Sequence, residues 1–176
     1  MARSGRLDPL TAVALALTTA AAGWAGWSGW DWYAAAHDDT AAYAAERDRV
    51  LAAGRQAVLN LNTLDHRDLA RGLDTWEDSA TGELREQLTE GRGEFERQIQ
   101  RARTVTSAKV LAGSVTELDT RAGRAGVMIA LRITVAAPKT ESVRKESRML
   151  GELTRTPDGW KLSALAQPPV GAVPPG

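Results

Sequence analysis

The chain contains no cysteine, so disulfides and thiolate metal sites are both excluded. Histidine is nearly absent, with only His37 and His66. A metal site needs three or more suitably spaced ligands; His66 with Asp65 and Asp68 offers one imidazole and two hard oxygens, a poor set. No charge of one sign is in excess: 22 basic side chains balance 22 acidic ones, which argues against nucleic acid as a partner. Also missing are the G-x-x-x-x-G-K-[ST] phosphate loop, the G-x-S-x-G nucleophile elbow and the H-E-x-x-H zinc motif. Beyond residue 33 the aromatics are only Tyr43, Trp76, Phe95 and Trp160, so a domain core there is mostly Leu, Val, Ile and Ala. No catalytic, cofactor-binding or metal-binding residue is assigned.

What is present is one long uncharged stretch, PLTAVALALTTAAAGWAGWSGW, over residues 9–30. As a helix it would be about 33 Å long, against a hydrocarbon core of about 30 Å. Arg3 and Arg6 precede it, and Asp31, Asp38 and Asp39 follow. The positive-inside rule places residues 1–8 in the cytoplasm and everything after residue 31 outside. Trp24, Trp27, Trp30, Trp32 and Tyr33 gather at the outer end, where amphipathic rings favour the headgroup level. The expectation is a single-pass anchor in the cell membrane. A cleaved signal peptide with Ala20-Ala21-Ala22 as its processing site is the competing reading, but the apolar run continues past that site. Residues 31–45 read as a juxtamembrane stalk leading into a long helix.

The extracytoplasmic part, residues 46–166, opens with helical spacing. Val50, Gly54, Ala57, Val58 and Leu61 share a face, and the charges from Glu46 to Arg49 read as a solvated one. Asp65 is the expected N-cap of a short second helix with Leu69, Leu73 and Trp76 on its apolar side. Trp76 is assigned to core packing in preference to lining a pocket between helices and sheet. Ser79 or Thr81 opens a third helix carrying Leu84, Leu88, Phe95 and Ile99, weakened by Gly91 and Gly93. Arg97, Arg101 and Arg103 read as a solvated face. The Asp65–His66 pair reads as helix-start chemistry and not as a general base.

After Thr104 the period becomes two. Strands are expected over residues 105–118, over the alternating run Val127, Ile129, Leu131, Ile133, Val135, and over residues 142–154, with Val143, Met149 and Leu153 on one face. Glu146 and Glu152 fall on the other. Pro157-Asp158-Gly159 is a tight turn, and Trp160, Leu162 and Ala164 alternate inward on a fourth strand. The tail over residues 167–176, QPPVGAVPPG, is too Pro-rich for a ladder and reads as disordered. Helices followed by a meander of strands define an α+β domain, about three helices on a four-stranded antiparallel sheet.

The segments LNTLD from Leu61 to Asp65, DSATGELR from Asp78 to Arg85, and RMLGELTRTPDGWKL from Arg148 to Leu162 resemble the actinobacterial Mce-associated membrane proteins. The likeness runs from about Thr11 to Ala166. It implies a cone-shaped domain like that of nuclear transport factor 2 (NTF2-like), shared with conjugation proteins of the VirB8 type. It also implies an accessory role, with protein partners, in an Mce-type envelope complex that imports lipids. Lipid binding by the domain itself is compatible with this. A VirB8-like part of a conjugation machine is the second expectation. An enzyme using the cone as a pocket, as SnoaL-like cyclases do, is the third; it would need a buried acid or base with a shifted pKa.

Overall fold

A computed structural model describes Tyr33 and residues 39–138 and 140–168. The chain divides into two units, residues 1–45 and 46–176. The expected membrane segment and its Trp24, Trp27, Trp30 and Trp32 lie outside the described residues, as does most of the Pro-rich tail. Tyr33 is helical and exposed. Among the described residues no helix is long and apolar enough to cross a membrane.

The elements run α1 (Asp39–Leu61), β1 (Leu64–Asp65), α2 (Leu69–Ser79), α3 (Gly82–Ala102), β2 (Val105–Asp119), β3 (Arg124–Ala136), β4 (Val143–Thr156) and β5 (Gly159–Ala166). All sheet pairings are antiparallel, in the order β1-β2-β3-β4-β5. The sheet therefore has five strands where four were expected. The extra strand is two residues long, Leu64 opposite Thr106 and Asp65 opposite Val105, too short to carry a periodic signal.

That small strand also corrects the helix start. Residues 64–65 are extended by pairing with β2, so α2 cannot begin at Asp65; Asp68 holds the N-cap position and makes no side-chain cap bond. The Asp65 carboxylate accepts instead from the Arg67 backbone N–H at 2.9 Å and from its guanidinium at 2.6 Å. The Arg67 hydrogen bonds hold Asp65 at a pKa of about 2. α3 starts after Thr81 and runs unbroken through Gly91 and Gly93 to a left-handed Arg103, whose N–H reaches the Ile99 carbonyl at 2.8 Å. Its continuity shows that two solvent-facing glycines lower helix stability without ending the helix.

The main core forms between α1 and the inner sheet face. Val50, Ala57 and Val58 meet Ala125, Val127, Ile129, Leu131, Met149, Leu153 and Leu162, all buried. These are the α1 face and the β3 alternation expected from the sequence. Val143 lies on the same face as Met149 but is 62% exposed, at the start of β4, whose first four residues are all exposed. A separate cluster joins β1, α2 and α3: Leu64, Leu69 and Leu73, flanked by Trp76, Phe95 and Ile99.

Bulges decide the two strands that alternate least well. On β2, register shifts at Leu111 and Thr116 turn Val110, Gly113, Val115 and Leu118 toward Leu131, Ile129, Val127 and Ala125. On β5, a shift at Ser163 leaves Leu162 inward beside Leu153 but sets Ala164 opposite Glu152, on the outer face. The inward place expected for Ala164 belongs to Leu165, which packs on the core.

Candidate functional site

Three features outside the core could act on another molecule. The first is an apolar groove of about 280 Å³ between α2 and α3. Helical spacing brings Leu73 and Trp76 from α2 against Leu88 and Phe95 from α3, and Gly91 leaves the groove open, with nothing within 4 Å of where its Cβ would stand. The Trp76 and Phe95 rings lie 5.2 Å apart at 41°. The Trp76 indole N–H donates to the Thr63 carbonyl at 3.2 Å, fixing the ring's orientation. Arg92 closes one rim by reaching Glu77 and Asp74, each at 2.8 Å. Trp76 packs, half-buried, on the Leu64–Leu69–Leu73 cluster as expected, and its remaining surface lines a groove between two helices.

Such a groove can take an acyl chain or an apolar side chain, because its lining is aliphatic and aromatic. Gly91→Leu should fill it. Leu favours helix over Gly by roughly 1 kcal/mol, so the variant should be slightly more stable in a denaturant melt. It should also lose any binding of a fluorescent fatty acid that the unaltered protein shows. Unchanged binding would place the ligand elsewhere.

The second feature is an open polar groove of about 580 Å³ lined in part by Glu83, Glu117, Arg124, Glu152 and Ser163. Glu152 faces away from Leu153, as the β4 alternation requires. These carboxylates are exposed, and among the described residues none of the fully buried side chains is polar or charged.

The third is a clasp that the sequence reading missed. Glu46 was expected on a solvated face, yet its side chain is only 14% exposed. Its carboxylate accepts from Trp160 Nε1 at 2.8 Å, from the Arg155 guanidinium at 2.5 Å and from Arg49 at 2.7 Å. The Arg155 guanidinium also lies 4.9 Å from the Trp160 ring centroid, a cation–π contact. α1 is thereby tied to the β4–β5 hairpin, which turns at Gly159 with φ at +108°, a conformation suited to glycine. No local signal shows this: the partners are more than 100 positions apart.

The Trp160 hydrogen bond, opposed by partial burial and helped by Arg49 and Arg155, lowers the Glu46 pKa below its ordinary 4.5. The folded value being the lower one, the clasp's contribution is complete above about pH 4.5 and is lost as pH falls through the folded pKa. Glu46→Gln removes this titration. The stability gap between the two proteins should therefore be wide in urea melts at about pH 7 and narrow at about pH 3. A gap independent of pH would exclude the carboxylate as its source.

The Asp65–His66 pair does not assemble a base. His66 Nδ1 lies 3.5 Å from Asp65 Oδ1 and makes no hydrogen bond, while Arg67 occupies the carboxylate. Arg97 and Arg101 are exposed and pair with Glu94. No cluster of three or more metal-ligating side chains occurs among the described residues.

This arrangement of helices on a bulged antiparallel meander is the fold of VirB8-type secretion-system domains. An IcmL-like type IV secretion system protein from Legionella pneumophila superposes with a TM-score of 0.58 at 10% identity, over 72% of this chain and 94% of that one. VirB8 of Agrobacterium tumefaciens gives 0.56 at 10% identity, over 72% and 96%. The periplasmic domain of DotI gives 0.55 at 18% identity, over 69% and 94%. At these identities the likeness concerns the fold. Comparison with curated proteins returns no sequence match. Residues 9–165 match the family described as "Uncharacterized protein Rv1363c/MT1408-like", and the chain belongs to it.

Proposed function

We propose that this protein is a non-catalytic accessory subunit of a multi-subunit cell-envelope complex, held by residues 9–30 with its domain outside the cytoplasm. The observation that carries this reading is the family match over residues 9–165, which takes in the apolar stretch and the folded domain together. The fold supports it, being that of secretion-system proteins, DotI's periplasmic domain among them. Among the described residues no polar or charged side chain is fully buried, and the Glu83, Glu117 and Glu152 carboxylates of the open groove are exposed, which favours a binding role over acid–base chemistry. The resemblance of the three segments quoted above favours an Mce-type lipid-import complex as the assembly served. The groove between α2 and α3 suits an acyl chain and accords with that cargo.

A VirB8-like role in a conjugation or secretion machine is the second reading, favoured by superposition over 94–96% of the VirB8-type domains. Affinity purification of the full-length protein from native membranes in mild detergent separates the two. Mce proteins and their permease in the eluate support the first; an ATPase and conjugation components support the second. Recovery of the protein without any of these would overturn both.

A further inference from the structure

β4 pairs with β3 along residues 143–154, but β5 pairs only with its second half, from Leu150 opposite Ala166 to Thr156 opposite Gly159. Among the described residues no strand lies beside residues 143–149 on the side away from β3. At roughly 3.3 Å per residue this leaves about 23 Å of strand edge open. Alternate residues of such an edge point their N–H and C=O groups outward, a template for another extended chain. β5 stops where it does because Pro168 and Pro169 follow Gln167. Successive N–H groups in a strand turn to opposite sides, so one of two adjacent prolines would always face β4 without a donor.

Along the open stretch Val143, Lys145 and Ser147 share the inner face with Met149, and Val143 stands opposite the exposed Val135. Arg144, Glu146 and Arg148 take the outer face. Glu146 is held by Arg132 at 2.8 Å, whereas among the described residues Arg144 and Arg148 pair with no acid. We propose that residues 143–149 are a docking edge for an extended, acidic segment of a partner protein, which adds a strand in line with β5. The backbone ladder supplies affinity, and the alternation sets the sequence that the edge accepts. Acids four positions apart suit Arg144 and Arg148, and a neutral residue between them suits the neutralised Glu146. Apolar residues on the other face extend the Val135–Val143 pair. A second copy of β4 is a poor occupant: two-fold antiparallel pairing centred on Glu146 sets Arg144 against Arg148 and Glu146 against itself. Such an edge deepens the accessory-subunit reading and rests on it only for the source of the segment, since peptide binding tests the edge whichever assembly the protein serves.

The test uses the full-length protein in detergent and a labelled synthetic peptide in which Val alternates with Thr and Asp, its two aspartates four positions apart. Fluorescence anisotropy should show saturable binding, and the bound peptide should slow amide hydrogen exchange at alternate residues within 143–149. Replacing both aspartates with Lys should weaken binding about ten-fold or more. Arg144→Glu with Arg148→Glu should reverse that preference, and circular dichroism melts check that the variant remains folded. Two further peptides carry N-methyl groups on one or the other set of alternate residues. The set whose N–H groups face β4 should abolish binding, and the other should leave it intact. No binding of the acidic peptide at about 1 mM would overturn the proposal. So would binding that survives both N-methylations, which would make the arginines a bare charge patch. Binding that appears only after residues 167–176 are removed would assign the edge to the chain's own tail, and would equally overturn it.

Discussion

Trp160→Ala should destabilise the folded domain by about 3 kcal/mol in a urea melt. The indole is half-buried against the main core, which alone would place it at the lower end of the range for losing a large aromatic. Its N–H also donates to a charged carboxylate at 2.8 Å, and its face meets Arg155 at 4.9 Å. Hydrogen bonds to charged groups contribute roughly 1.5–3 kcal/mol. The Glu46 charge is not stranded by the change, since Arg155 and Arg49 still bind it, and this keeps the loss below about 5 kcal/mol. A double-mutant cycle with Glu46→Gln should give a coupling of about 1–2 kcal/mol. A Trp160→Ala loss below about 1 kcal/mol, or additivity of the two changes, would show that the clasp does not stabilise the fold.

The second large effect is expected at Gly151, where the change adds atoms instead of removing them. A Cβ there would lie 2.9 Å from Leu162 Cδ2 and 3.1 Å from Val127 Cγ2. Both neighbours are essentially inaccessible to solvent, and Gly54 of α1 presses on Val127 from the other side, its own Cβ position 3.0 Å from Cγ2. Both clashing atoms are side-chain ends, but they belong to fully enclosed residues, so relieving the contact means repacking the core under α1. Val is a far better strand former than Gly, a gain of up to about 1 kcal/mol. Overpacking of a closed core costs about 1–3 kcal/mol or more. Gly151→Val should therefore be destabilising by about 2 kcal/mol or more in the same melt, despite its better propensity. A neutral or stabilising result would mean that α1 is free to shift on the sheet.

The sequence reading succeeded where a residue's role follows from its immediate neighbours. The β3 run from Val127 to Val135 and the α1 face from Val50 to Val58 are regular periods; the structure buries Val50, Ala57, Val58, Val127, Ile129 and Leu131, half-buries Ile133, and leaves Val135 exposed at the end of β3. The Pro157-Asp158-Gly159 turn is equally local, because Pro and Gly fix backbone geometry without help from the fold. Ala164 was misplaced because the bulge at Ser163 turns the period over within a single residue, and its cause lies in the pairing with β4. Asp65 was misplaced for a similar reason: as an isolated residue it is a good N-cap, but pairing with Val105 holds it extended.

The candidate sites were less legible still. Trp76 and Phe95 are 19 positions apart, and only the packing of α2 beside α3 makes them two walls of one groove. Glu46 sits among charges that read as solvated, and it becomes a partly buried acceptor only because the β4–β5 hairpin returns to it.

By itself, then, the sequence determined the α+β class, the order of helices before strands, the inward sets of α1 and β3, and the uncharged stretch over residues 9–30. All of these follow from periodicity, turn chemistry and charge, which act over a few residues. The tertiary structure alone decided the fifth strand, the bulge-shifted faces of β2 and β5, the Glu46–Arg155–Trp160 clasp and the groove of Trp76 and Phe95. Each of those depends on contacts between distant positions, where register and burial, not local preference, settle which side chains meet.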